Sequence, residues 1–351
     1  MNMYDIKFYM KMAEFKRKQE PMDKTKLISL LEGCRSKYPT VFDIETTNIC
    51  NMQCANCPRT TRMTRPTGIM GIKQFERIVE QVKPWRKLDW LAWETFIEKY
   101  YGINKTDMSE NHFFTNVIAK SLILHGYGEP LLDEYMPWRI AKCKEFNIPT
   151  YISVNPSNLD KLYPAEDLLD AGLNYLKFST DSVDDFSVQQ IRGKNADFTK
   201  AFEKINRLID AVKSNGYNTK IIITMLDLNR PNQLEDFARL KQKFQDKDVY
   251  IYLKSKDQKW LNDTGSIQHS IHWTEFCQAP WAAMSIHWDG LCTPCHVDYN
   301  NELVMGDATK SSLVDIWNNS AYNRLRRAHV FSHNDIKCKK ECDMKIVGDI
   351  T

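Results

Sequence analysis

The 351-residue chain has no long hydrophobic run. No stretch approaches the roughly 18 consecutive apolar residues that a bilayer span needs, so a membrane partner is not expected. Charge imbalance is also scarce: 48 Lys and Arg stand against 45 Asp and Glu, for a net charge of +3. Spread over this length, that leaves no electrostatic footprint for nucleic acid. Short basic runs such as RLRRAH read as solvated helix faces. The N-terminal MNMYDIKFYMKMAEFKRKQE scatters its charges and has no apolar core, so it does not read as a secretory signal. A cytoplasmic location is the expectation. Disulfides are disfavoured in that compartment, so the ten cysteines of this chain pose a question about metal.

Eight of the ten cluster: Cys50, Cys54 and Cys57 near the start, and Cys277, Cys292, Cys295, Cys338 and Cys342 near the end. Only Cys34 and Cys143 stand alone. Cys143, in WRIAKCKEF, reads as a small buried hydrophobe. Clustered thiols in a reducing environment argue for metal ligation.

Between residues 40 and 255 six short runs read as strands: VFDIETT (41–47), SLILHG (121–126), PTYISVN (149–155), YLKFSTD (175–181), TKIIITML (219–226) and DVYIYLK (248–254). Each is rich in β-branched or aromatic residues, and several are almost continuously apolar, as strands buried on both faces are. Helical patterns separate them. Six strand–helix repeats mean parallel βαβ units, closing into a partial barrel or lying open as a doubly wound sheet. Ahead of them lies an N-terminal extension, residues 1–39. The α/β unit covers 40–256 and carries an insert at 85–120 rich in Trp and Tyr. That insert reads as an extra helix packed on the outside or as a cap over the site. From 257 to 351 loops, Cys, Trp and His dominate, which reads as a second, metal-stapled domain. Residues 306–330 look like one amphipathic helix entered through a Ser-rich cap.

The spacing C-x3-C-x2-C falls just after strand one, where α/β folds place chemistry. A 4Fe–4S cubane has four iron corners and is normally held by four cysteines. Three local thiols leave one corner open to a small molecule. A zinc site completed by a distant ligand is the alternative reading. Other strand ends carry HGYGEP with Glu129, an acceptor for an ammonium group; ISVNPSN with Ser153 and Asn155; and FSTDS with Ser179 and Asp181. QQIRG adds Arg192, a fork suited to a carboxylate. Together they suit an amino acid that carries a nucleoside.

CNMQCANC (50–57), YGE (127–129) and six βα units resemble the radical S-adenosylmethionine (SAM) superfamily. The resemblance implies an α/β fold of the partial (β/α)6 TIM-like barrel type. By match, Cys50, Cys54 and Cys57 hold a 4Fe–4S cluster. Its open iron binds the amino and carboxylate groups of SAM. Tyr127, Gly128 and Glu129 belong to the SAM site, with Ser153, Asn155, Ser179 and Arg192 as further SAM candidates. The pattern departs from the family at Asn56, where an aromatic often precedes the third cysteine, and at Asn155-Pro156, where Asn-Gly is common. The implied chemistry is reductive cleavage of SAM to a 5′-deoxyadenosyl radical, which takes a hydrogen atom from substrate. A one-electron donor such as flavodoxin or ferredoxin is implied as a partner.

The C-terminal cysteines, with Asp289 and Gly290 ahead of Cys295, resemble the SPASM or shorter twitch extension of that family. This implies one auxiliary 4Fe–4S cluster on Cys277, Cys295, Cys338 and Cys342, with Cys292 spare. A C-x2-C…C-x3-C zinc ribbon on Cys292, Cys295, Cys338 and Cys342 is the alternative. Residues 1–39 are too few for a peptide-recognition domain with its own core. The expectation is therefore a two-electron oxidation of a small sugar- or cyclitol-like alcohol, with the auxiliary cluster as electron acceptor. Asp181 and Lys254 are candidate bases. Radical modification of a ribosomally made peptide is the second reading, and a non-catalytic zinc-stapled nucleotide-binding scaffold the third.

Overall fold

A computed structural model describes residues 5–18, 23–104, 106–254 and 277–331. Nine strands form one sheet: β1 (Val41–Ile44), β2 (Leu122–Ile123), β3 (Thr150–Val154), β4 (Tyr175–Ser179), β5 (Lys220–Leu226), β6 (Tyr250–Lys254), β7 (Met284–Ile286), β8 (Leu291–Thr293) and β9 (Gly306–Asp307). Their order is β6-β5-β4-β3-β2-β1-β7-β8-β9. Strands β1 to β6 pair in parallel, each inside one of the six expected runs. The arrangement is the mixed α/β architecture of a partial TIM-like barrel.

Both faces of the parallel strands are buried, and alternation sorts them. Leu122, Leu124, Ile152, Val154, Leu176, Phe178, Ile221 and Ile223 lie under the helices in the main core. Ile123, Tyr151, Ile222, Tyr250 and Tyr252 form a separate cluster on the opposite, inner face. The helix Phe198–Asn215 shows how the outer layer is punctuated. Asp197 caps its start by accepting from the Lys200 N–H, and Gly216, at φ +67°, ends it in the left-handed region.

The insert differs from both expectations. Its helix Lys87–Tyr101 joins Ile6, Ile103 and Ala119 in an apolar cluster. It is followed by a π-helical turn, Phe113–Ile118, that packs on the inner face of the sheet. Phe113 lies 5.5 Å from the Tyr151 ring and 5.3 Å from the Tyr252 ring. The Trp93 indole N–H donates to the Thr115 carbonyl at 2.8 Å and ties helix to turn. The physical reason is apolar area. An inner face lined by Tyr and Ile must be covered, and the insert covers it from within.

The C-terminal segment also departs from the expected separate domain in its strands. β7 pairs in parallel with β1 and extends the same sheet, and β8 and β9 follow antiparallel. Gly290, at φ +88°, makes the β7–β8 turn. The single helix expected over 306–330 is two, Leu313–Trp317 and Ser320–Phe331. Asn318 returns its side chain to the Val314 carbonyl, and Asn319 accepts from the Tyr322 N–H, so the asparagine pair stops one helix and starts the next. Phe8, Met12 and Leu31 of the N-terminal extension pack with Trp281, Ala282 and Val330, so the two ends of the described chain share a core.

Candidate functional site

The loop that follows β1 carries the three cysteines, all half-buried free thiols. Neighbouring strand ends hold it in place. The Glu129 N–H donates to the Ile49 carbonyl at 2.8 Å, and the Gln53 N–H to the Arg192 carbonyl at 3.0 Å. Asn51 and Asn158 exchange side-chain hydrogen bonds at 2.8 and 3.0 Å. Gly128 is required by this packing: a Cβ there would sit 2.1 Å from the Thr47 carbonyl oxygen. Its bareness therefore serves the approach of two backbones.

Burial pushes the Cys50 thiol up to about 11 and raises Cys54 as well. Metal binding must displace those protons. The Met52 N–H already points at Cys50 Sγ, 3.4 Å away. Among the described residues no three His, Cys, Asp or Glu side chains converge on a single-ion site. A cubane does not need convergence, because each thiolate takes its own iron corner.

The Glu129 carboxylate is buried, 4% exposed, and accepts N–H bonds from Leu131 at 3.2 Å and Asn155 at 2.9 Å. Burial pushes it up to about 7 despite those bonds. It lacks a bonded cation among the described residues. Asn155 accepts the Ser157 N–H through Oδ1, which leaves its Nδ2 buried without an acceptor. Arg192 Nε is likewise buried and unpartnered. An underneutralised carboxylate beside two orphan donors is complementary to an amino acid head group. The residues therefore fit SAM, with Glu129 able to hold its ammonium and Asn155 and Arg192 able to hold its carboxylate.

Asp181 and Arg192 are brought together as an ion pair, and Asp181 also accepts the Leu226 N–H at 2.8 Å. Ser153 and Ser179 share a hydroxyl contact at 3.5 Å on the inner face. Lys254 ends β6, and its carbonyl accepts the Asp227 N–H at 2.7 Å. His125 stands among them: its Nδ1 accepts the Ser153 N–H at 3.3 Å, which assigns the proton of the neutral ring to Nε2. The only sequence signal for His125 was its place ahead of the glycine motif at a strand end.

A second buried polar group lies between the cysteine loop and β7. Glu45 pairs with Arg65 at 2.6 Å, with side chains 0% and 4% exposed. Burial works to raise Glu45, but His287 and Arg65 beside it outweigh this and hold it below the usual carboxylate range. Arg65 Nε donates to the Tyr299 carbonyl at 2.7 Å. No local pattern announces this pair, since its members face each other only after folding.

Cys277 and Cys295 pack with Tyr127, Val297 and Tyr299. The Val297 N–H points at Cys295 Sγ, 3.4 Å away, the same i+2 arrangement as at Cys50. Half-buried thiols that receive peptide N–H groups in an apolar shell fit iron–sulfur ligation. Cys292 is fully buried in the main core, pushed up to about 12 by burial, with its thiol 3.7 Å from the Gly290 carbonyl. Cys338 and Cys342 lie outside the described residues.

The sequence profile of the radical SAM superfamily matches residues 44–240, more than half of the chain. The SPASM profile, an iron–sulfur cluster-binding domain, matches residues 277–343. No curated protein sequence matches at a significant level. Among solved structures, SuiB of Streptococcus suis bound to S-adenosylmethionine aligns at 13% identity and a TM-score of 0.51, over 90% of this chain and 77% of that one. The structure titled anSMEcpe with bound AdoMet aligns at 14% identity and a TM-score of 0.51, over 87% and 85%. BtrN in complex with AdoMet and 2-DOIA aligns at 14% identity and a TM-score of 0.44, over 87% and 98%. These likenesses are of fold. Among the described residues no helix is long and apolar enough to cross a membrane. The chain belongs to the radical SAM superfamily, as an enzyme that works with a 4Fe–4S cluster and SAM and carries a C-terminal SPASM domain for auxiliary iron–sulfur chemistry.

Proposed function

We propose that this enzyme oxidises a small sugar- or cyclitol-like alcohol by two electrons, with one auxiliary cluster on Cys277, Cys295, Cys338 and Cys342 as electron acceptor. The observation that carries the small-substrate reading is the filled inner face. Phe113, Tyr151, Tyr250 and Tyr252 occupy its floor, so a substrate is confined to a shallow ledge. That ledge carries His125, Ser153 and Ser179, whose polar atoms suit hydroxyl groups.

Bound together, cluster and SAM supply one-electron cleavage of the sulfonium and a hydrogen-abstracting radical. The chain's own residues bind and orient. Glu129 is assigned to the SAM ammonium, Asn155 and Arg192 to its carboxylate, and Ser153 and Ser179 to hydroxyls. Asp181 and Lys254 are the candidates to take the substrate hydroxyl proton. Asp181 is engaged by Arg192. Substitution at Lys254 therefore tests proton transfer without loosening Arg192.

The test is anaerobic incubation with SAM, a strong reductant and a panel of C-deuterated polyols and aminocyclitols. Deuterium is expected in 5′-deoxyadenosine, alongside a carbonyl product. Cys54→Ala should abolish 5′-deoxyadenosine. Cys277→Ala should keep it and block the carbonyl product. Deuterium transfer from a peptide but from no polyol would overturn the substrate reading.

A further inference from the structure

Tyr127 and Glu129 belong to one three-residue motif but face two neighbourhoods. Glu129 turns to Asn155 and Leu131. The Tyr127 ring, 8% exposed, packs with Val297 and Tyr299 and against Cys277 and Cys295. It meets Tyr299 edge-on, with centroids 6.0 Å apart. Its hydroxyl donates to the Val297 carbonyl at 3.2 Å. Val297 is also the residue whose N–H points at Cys295 Sγ. One residue of the loop is thus held at its carbonyl by Tyr127 and serves the thiol through its amide.

A second anchor grips the same loop at the Tyr299 carbonyl through Arg65. Both anchors converge on Glu45 Oε2, which accepts the Tyr127 N–H at 2.9 Å and the Arg65 guanidinium at 2.6 Å. Glu45 directly follows β1, one residue before the segment leading to the cysteine loop begins to turn. Burial, reinforced by the nearby Cys295 and Cys57 thiols, pushes the Tyr127 hydroxyl well above its ordinary value, so it stays a donor.

We infer that Tyr127 is a positioning residue of the auxiliary centre and not a SAM contact: its hydroxyl fixes the Val297 peptide so that the Val297 N–H remains directed at the Cys295 sulfur. This rests on the reading that Cys277 and Cys295 ligate that centre. Hydrogen bonds to ligating sulfurs are among the factors that set a cluster's potential. Such a bond favours the more negative, reduced state. Losing the hydroxyl anchor loosens the bond and moves the potential negative. Tyr127→Phe keeps the ring against Cys277 and Cys295, so burial of the thiols is preserved.

The experiment is an EPR-monitored redox titration of the reconstituted enzyme, wild type against Tyr127→Phe. It is repeated with Cys50, Cys54 and Cys57 all changed to Ala, where only the auxiliary signal remains. The expected result is a negative shift of the auxiliary midpoint, with iron content, the SAM-cluster midpoint and SAM affinity unchanged. Arg65→Lys, which keeps the charge beside Glu45 but loses the fork to Tyr299, should shift the same midpoint in the same direction. An unmoved auxiliary midpoint at full iron content overturns the assignment, as does a fall in SAM affinity. A wild-type enzyme with no second cluster would overturn both this assignment and the electron-acceptor reading, whereas an unmoved midpoint leaves that reading standing.

Discussion

Glu129→Gln removes a charge from a buried place while keeping the shape. The carboxylate is 4% exposed and held by two peptide N–H groups. Burial displaces its pKa from 4.5 to about 7. That displacement corresponds to about 3 kcal/mol. Between 4.5 and about 7 the folded chain holds a proton here that the unfolded chain has released. Stability therefore falls as pH rises through this window, by up to about 3 kcal/mol, and is level with respect to this group on either side. The glutamine variant should lose that slope and be more stable than wild type at about pH 8 without ligand. Its gain is less than the full amount, because its amide NH2 faces one of the two N–H donors. SAM reverses the order. Its ammonium favours the ionised carboxylate, so wild-type affinity should weaken about tenfold per pH unit below about 7. A hydrogen bond between charged groups contributes about 1.5–3 kcal/mol, so Glu129→Gln should bind SAM about 10- to 100-fold more weakly. Urea unfolding across pH and anaerobic titration calorimetry measure both effects. A glutamine variant with the wild-type pH slope, or with undiminished SAM affinity, would refute the reasoning.

Other outcomes follow from the same packing. Gly128→Ala places a Cβ 2.1 Å from the Thr47 carbonyl oxygen. It should cost about 1–3 kcal/mol in urea unfolding and lower iron occupancy of the cysteine loop, read by iron analysis. Phe113→Ala empties the floor of the inner face and should destabilise by about 3–5 kcal/mol, measured by urea unfolding. Cys54→Ala should reduce iron from about eight to about four per chain, while Cys292→Ala leaves it at about eight, counted by iron analysis.

Much of the frame was legible because it is written locally. A run such as KIIITML announces a buried strand by composition alone, and all six expected strands lie inside their runs. The cysteine loop and YGE were equally plain, since their chemistry sits in adjacent residues. Continuous patterns misled where two asparagines could serve as caps: residues 306–330 kept helical periodicity across a break at Asn318 and Asn319. The insert at 85–120 misled for another reason. Its aromatics told of apolar area but not of which face they would cover.

The chain's order of residues by itself settled the family, the parallel α/β frame and the loop that carries the first cluster's cysteines. Folding alone decided that Asp181 neutralises Arg192, that Glu45 and Arg65 clamp the segment around Cys295, and that Tyr127 turns toward Val297 across 170 residues. The difference is physical. Ligand spacing within a loop is set by a few adjacent dihedrals, whereas partners far apart in sequence are chosen by which strand ends the sheet brings together and which side of each strand its pleat presents.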